Sequence, residues 1–248
     1  MESPSPNAIR TAFGRDRVFL PVIHPARGLA GAMEAVGLVV RHGADGVFLI
    51  NQGMDRDEVV KLAEETRSEY PKLWIGLNLL GYSPVEVLEK APWIDGIWSD
   101  NAGYDHPASS LPYAEELAAR RRELEWEGLW FGGVAFKTQR RVPRDRWGAV
   151  AAEAARHMDV VTTSGPGTGI EVDPDKPAAF RAAIGHSALG LASGVTEENV
   201  HKVLPFVNAF LVGTGIEAKR PDGRPRRGLL VEASVRILAE KIHGWNPS

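Results

Sequence analysis

The 248-residue chain contains no cysteine. That absence removes disulfides, thiolate nucleophiles, zinc ribbons and iron–sulfur clusters together, and it accords with a cytoplasmic location. Nor is there an excess of positive charge. Against 29 Lys and Arg stand 32 Asp and Glu, a net charge of −3, so no global field draws the chain to nucleic acid or anionic lipid, and no basic-aromatic module compensates. No apolar run approaches the roughly 20 residues needed to span a bilayer. The opening MESPSPNAIRTAF lacks the charged-then-apolar layout of a signal peptide. Seven histidines occur without HxH or HExxH spacing, so no metal site is expected. The turn after the first apolar run is PARG rather than a glycine-rich dinucleotide fingerprint, and no redox cofactor is expected.

What is present is ordinary globular composition, 44% hydrophobic and 25% charged. Short β-rich apolar runs alternate with amphipathic ones: VFLPVIH (18–24), GVFLIN (46–51), LWIGLNLL (73–80), GIWSDN (96–101), LWFGGVAFK (129–137), DVVTTSG (159–165), ALGLASG (188–194) and AFLVGTG (209–215). Helical patterns fall between them at 55–70, 113–128, 144–158 and 196–204, with a closing helix near GLLVEASVRILAEKIHG. Near-continuous apolar strands alternating with helices imply a parallel sheet covered on both faces. Eight such units in about 250 residues match a (β/α)8 TIM barrel; an open doubly wound sheet is the competing arrangement. No linker or composition break divides the chain, so one barrel domain is expected over residues 1–248, with residues 1–16 as an N-terminal extension.

A barrel presents its chemistry at the C-terminal ends of its strands, and polar residues follow every apolar run: His24, Asn51 and Gln52, Asn78, Asp100 and Asn101, Lys137, Thr162 to Ser164, Ser193, and Thr214 with Glu217. The runs LASGVTEENV (191–200) and FLVGTGIEAK (210–219) place small residues and a hydroxyl after the seventh and eighth strands, where such barrels bind phosphate through loop amides and a helix N-terminus. On this reading Ser193, Gly194, Gly213, Thr214 and Lys219 hold a phosphate and Thr196 caps the following helix; tight turns without a ligand are the alternative. The loop TTSGPGTGIEV (162–172) resembles a P-loop but has Ile170 and Glu171 where the Lys and hydroxyl should stand. Its Thr168 and Gly169 are expected to close the site from the side.

Asp100 and Lys137 form a natural proton pair, with His24 in support and Glu217 as a second carboxylate; a structural ion pair at the rim is the other option. Asn51 and Asn78 offer amide contacts to substrate or cap the next helices. The basic run KRPDGRPRRG (219–228) lies on the ligand face, as a lid over an anion or as a solvated loop.

Set in order, these motifs resemble the BtpA family of the ribulose-phosphate-binding barrel superfamily. The matches are His24-Pro25, DGVFLINQG, IGLNLL, Lys137, TTSGPGTG, ASGVTEENV and VGTGIEAKRPDG, from residue 18 to about residue 223. The resemblance implies a phosphorylated small molecule as partner, held by Ser193, Gly194, Gly213 and Thr214 with Thr168 and Gly169 facing. An enzyme using acid–base chemistry without cofactor or metal is the first expectation. A non-catalytic phospho-ligand-binding or assembly factor is the second. Self-association into a homo-oligomer stays open.

Overall fold

The computed structural model describes residues 7–103 and 112–246. Residues 1–6 of the expected extension lie outside them. Eight parallel strands close into a barrel in chain order: β1 (Val18–Ile23), β2 (Gly46–Ile50), β3 (Trp74–Asn78), β4 (Gly96–Ser99), β5 (Leu129–Gly133), β6 (Val160–Ser164), β7 (Ala188–Ala192) and β8 (Ala209–Val212). Register is continuous across the seam, where Val18 pairs with Ala209 and Pro21 with Val212. All eight apolar runs are therefore strands, because each is buried on both faces.

Period-two alternation divides each strand between two cores. Phe19, Val47, Ile75, Leu77 and Ile97 face the helices, whereas Val18, Leu20, Val22, Phe48, Trp98 and Phe131 fill the interior. Inside, Phe48 packs edge-on against Trp74, Trp98 and Phe131 with centroids 5.1–5.6 Å apart. These rings crowd the β2–β5 side of the interior.

The outer layer comprises α2 (Gly28–Arg41), α3 (Arg56–Glu69), α4 (Pro84–Lys90), α5 (Pro112–Glu123), α6 (Trp147–Ala154), α7 (Asp175–Ile184) and α8 (Glu232–His243). Capping boxes at Asp55/Glu58 and Ser83/Glu86 start α3 and α4 by satisfying amides left over in the first turn. A short α1 (Ala8–Phe13) precedes the barrel and sends the fully buried Ile9 into the interior cluster. The described part of the extension thus closes the N-terminal end of the barrel.

One device recurs around that end. Asp45, Asp95, Asp159 and Asn208 stand just before β2, β4, β6 and β8, and each accepts the amide of the second residue of the preceding strand: Phe19 (2.7 Å), Ile75 (2.8 Å), Trp130 (2.8 Å) and Leu189 (3.0 Å). From the helices between, Arg67, Arg121 and Arg181 donate to Asp95, Asp159 and Asn208. The same arginines also reach the carbonyls of Leu73, Gly128 and Ser187 at 2.8 Å, just before β3, β5 and β7. Each arginine ties its helix to two strands, which sets the register at the face where barrels carry stability rather than chemistry.

Three expectations are corrected. The stretch 196–204 is not an α-helix: only Val200–Lys202 forms a 3-10 turn, so Thr196 caps no helix, and the Asn199 side chain instead accepts the Thr196 amide at 2.8 Å. The basic run and the start of the expected closing helix form a hairpin, β9 (Glu217–Lys219) with β10 (Pro225–Leu230). Lys137 does not end β5, which stops at Gly133; the chain turns through Ala135 at φ 47° before reaching it.

Candidate functional site

The mouth of the barrel holds a cavity of about 170 Å³ with an apolar floor of Val22, Ile50, Trp98 and Leu211. Its polar wall is formed by His24, Asp100, Lys137, Thr168, Ser193, Thr214 and Arg227. This is smaller than the roughly 300–1,000 Å³ of a drug-sized site.

Asp100 follows β4 and is oriented by Asn78, the last residue of β3, whose amide donates to Oδ1 at 3.0 Å. Burial pushes the Asp100 carboxyl above the usual carboxylate range, although the charge of Lys137 and the Asn78 hydrogen bond oppose the rise. Lys137 faces the same cavity, its ammonium 5.3 Å from the centroid of the Phe136 ring and its own amide held by Ser164 Oγ at 2.8 Å. Desolvation lowers the Lys137 pKa; the Asp100 charge works against that and Arg227 adds to it. Among the described residues neither group makes a salt bridge, so each is within the other's field without being spent on it. The indole Nε1 of Trp98 in the floor is buried and has no protein hydrogen-bond partner among the described residues.

A second cluster stands beside the first. His24 Nδ1 is 2.9 Å from Glu217 Oε1, and Arg227 reaches both His24 Nε2 at 2.9 Å and Glu217 Oε2 at 3.4 Å. A guanidinium only donates, so Nε2 accepts and the contacts suit the tautomer carrying its proton on Nδ1. Burial raises the Glu217 carboxyl, but the hydrogen bonds from His24 and the Gly228 amide and the charge of Arg227 together outweigh it and hold the group below the usual range. Glu217 does not line the cavity; it sits behind His24 and anchors β10 through the Gly228 amide at 2.9 Å.

The glycine-rich loop after β6 folds over the loop after β7. Gly169 donates its amide to Ser193 Oγ at 2.9 Å. Gly194 has φ 75°, and a Cβ there would lie 2.1 Å from the Ile170 carbonyl oxygen, so only glycine permits this contact. Among the described residues the amides of Thr214 and Gly215 have no protein acceptor, which leaves two adjacent donors in the loop after β8.

Of the residues expected from sequence, the cavity brings together His24, Asp100, Lys137, Thr168, Ser193, Gly213 and Thr214. Asn78 stands behind Asp100, and Asn51 is spent on the Leu80 backbone, accepting its amide at 2.6 Å. Gly169 and Gly194 form the loop-to-loop contact. Lys219 turns back to the Thr214 carbonyl at 2.6 Å. Gln52 and Arg227, noted in sequence only among strand ends and a basic run, prove to be wall residues, and Trp98 lies in the floor. Lys176 on α7 carried no sequence signal: buried, it donates to the Ala135 and Ser164 carbonyls, and burial lowers its pKa to about 8. Among the described residues no helix is long and apolar enough to cross a membrane.

No protein-family model matches the chain, and no curated protein matches its sequence significantly. Similarity appears with solved structures. Phosphoribosyl anthranilate isomerase from Thermus thermophilus aligns with TM-score 0.61 and 14% identity over 92% of this chain and 98% of its own. (S)-3-O-geranylgeranylglyceryl phosphate synthase from Thermoplasma acidophilum, solved with sn-glycerol-1-phosphate, gives 0.64 and 12% over 96% and 97%. Tryptophan synthase from Mycobacterium tuberculosis gives 0.62 and 12% over 96% and 99%. At these identities the likeness is one of fold, and the fold is the expected TIM barrel.

Proposed function

We propose that the chain is an enzyme that moves a proton on a small phosphorylated metabolite bound in the barrel mouth. The observation that carries this reading is the placement of Asp100 and Lys137 on one cavity, both desolvated, both with shifted pKa values and neither used in an ion pair. Groups tuned towards neutrality transfer protons well. Asp100, aimed by Asn78, takes a proton from carbon next to a carbonyl. The Lys137 ammonium stabilises the negative charge that develops on the carbonyl oxygen. On an α-hydroxy carbonyl the intermediate is an enediolate; transfer of the hydroxyl proton to the neighbouring oxygen and return of the carbon-bound proton from Asp100 to the former carbonyl carbon complete an isomerisation, and the same pair serves a lyase or transferase that passes through the same anion. Thr168, Ser193 and Thr214, with the amides of Thr214 and Gly215, hold the phosphate at the other wall. The solved relatives in fold that carry phosphorylated compounds in their names support the ligand class.

The test is a crystal soak with inorganic phosphate, followed by a pentose phosphate. Density against Thr214 and Ser193 is the expected result. A mouth that stays empty at millimolar phosphate, with Asp100→Asn and Lys137→Met leaving all ligand-dependent thermal shifts unchanged, removes the reading.

The second reading is a non-catalytic phospho-ligand-binding or assembly factor of the BtpA type, for which the motif resemblance speaks. One contact favours it: the Ser193 hydroxyl is already engaged by the Gly169 amide, as in a loop built for rigidity. A ligand that binds without any isotope exchange of its carbon-bound protons into solvent would select this reading.

A further inference from the structure

The hairpin β9–β10 is the one strand pair outside the barrel among the described residues, and it carries the basic run. It is fastened, not hanging. The buried Glu217 accepts the Gly228 amide, and Gly228, at φ 73°, lies so close to the loop after β1 that a Cβ would come 2.6 Å from the His24 carbonyl oxygen. Against that loop the hairpin forms a groove of about 410 Å³ lined by Ala26, Arg27, Arg220, Arg226, Arg227 and Leu229. Arg227 lines both this groove and the mouth cavity.

Charge in the groove is only partly compensated. Arg227 pairs with Glu217 at 3.4 Å and Arg27 with Glu34 at 3.2 Å. Among the described residues Arg220 and Arg226 make no salt bridge, and no carboxylate lines the groove. Two free guanidiniums match a phosphate dianion, and their planar forks suit its oxygens. The net charge of −3 makes this concentration of positive charge local rather than a consequence of composition. The mouth cavity of about 170 Å³ is small beside the roughly 300–1,000 Å³ of an ordinary ligand site, so part of a larger ligand would extend beyond it.

We infer that the ligand is anionic at both ends: one phosphate sits in the mouth, and a second phosphoryl group extends past Arg227 into the Arg27–Arg220–Arg226 groove. This rests on the reading of the mouth as a phosphate site and adds a second subsite to it. Arg227, braced by His24 and Glu217, then stands between the two ends and contacts the ligand's middle.

The probes are butane-1,4-diol monophosphate and butane-1,4-diol bisphosphate, which carry no sugar stereochemistry, titrated by calorimetry at constant ionic strength. The native protein should bind the bisphosphate about tenfold or more tightly than the monophosphate, as an added charge-assisted site predicts. The double variant Arg220→Gln/Arg226→Gln should lose that preference and keep the monophosphate affinity. Arg140→Gln/Arg141→Gln, which removes the same charge elsewhere, should keep both. Equal affinity of the native protein for the two probes overturns this inference and leaves the mouth reading standing. So does a loss of preference of equal size in both double variants, which marks a diffuse charge effect. Binding of neither probe overturns the mouth reading and this inference with it.

Discussion

The Asn78 side-chain amide donates to Asp100 Oδ1 at 3.0 Å, from the last residue of β3 to the first residue after β4. Asn78 is 1% exposed, so its amide has no water to turn to. The bond therefore fixes the direction of the one carboxylate that, among the described residues, faces the cavity, and its pKa is raised.

Asp100→Asn keeps the shape of the site and removes a carboxylate that folding disfavours. A carboxyl whose folded pKa is raised contributes stability below its unfolded value and loses it as pH rises through the folded one. The variant's advantage should therefore be absent in acid and appear on approaching neutrality. At pH 7 a gain of roughly 2–4 °C in melting temperature is expected, as about 1 kcal/mol gives at this size. Thermal melts from pH 3 to pH 8 check it, and a lower melting temperature at pH 7 contradicts the assignment.

Glu217→Gln tests the opposite sign. The Glu217 carboxyl is held below 4.5, so its contribution is present above that value and lost as pH falls through the depressed one. The variant should be less stable by about 1–3 kcal/mol at pH 7, and the difference should shrink below pH 4. Denaturant titrations at several pH values measure it, and hydrogen exchange at the Gly228 amide should quicken as the hairpin loosens.

Gly194→Ala should push the loop 165–171 off the loop after β7, because the new methyl meets the Ile170 carbonyl in a backbone conformation alanine disfavours. A loss of about 1–3 kcal/mol is expected. Faster proteolysis between residues 165 and 171 should accompany it. Unchanged cleavage would mean that the two loops do not support each other.

Asp159→Ala removes the acceptor shared by the Trp130 amide and the Arg121 guanidinium, both at 2.8 Å. The loss should be about 2–3 kcal/mol with ligand binding unchanged, since the contact lies at the far end of the barrel from the cavity. Asp159→Asn keeps an acceptor and should cost less. Equal losses would mean that the charge, not the hydrogen bond, sets the register.

Much of this architecture is written locally. Eight apolar runs of strand length, glycine and aspartate or asparagine before them, and capping boxes at Asp55 and Ser83 each act over a few residues, so the element order follows from the chain alone. Closure does not follow from burial on both faces, which an open doubly wound sheet shares; eight units in about 250 residues point to the barrel, and the pairing of β1 with β8 decides it. The same local logic put Asp100, Lys137, Thr168, Ser193 and Thr214 at the mouth, since they stand after strands.

Where the chain misled, side-chain hydrogen bonds and hairpin pairing overruled the helical pattern. TEENVHKVL has helical spacing, yet Asn199 spends its side chain on the Thr196 amide and the Gly194 carbonyl, and the helix does not start. GRPRRGLL reads as a loop entering a helix, but pairing with Glu217–Lys219 makes it a strand. Burial, which no residue carries in its own identity, decided which ionisable groups matter. It separates Asp100, raised by its surroundings, from Glu217, lowered by a histidine and an arginine brought from both ends of the chain. Sequence by itself determined eight alternating strand–helix units and the ring of polar residues that follows the strands. Only tertiary packing decided that Asp100 and Lys137 share one cavity while His24, Glu217 and Arg227 satisfy one another, because electrostatic tuning depends on distances and desolvation that arise when separate strands meet.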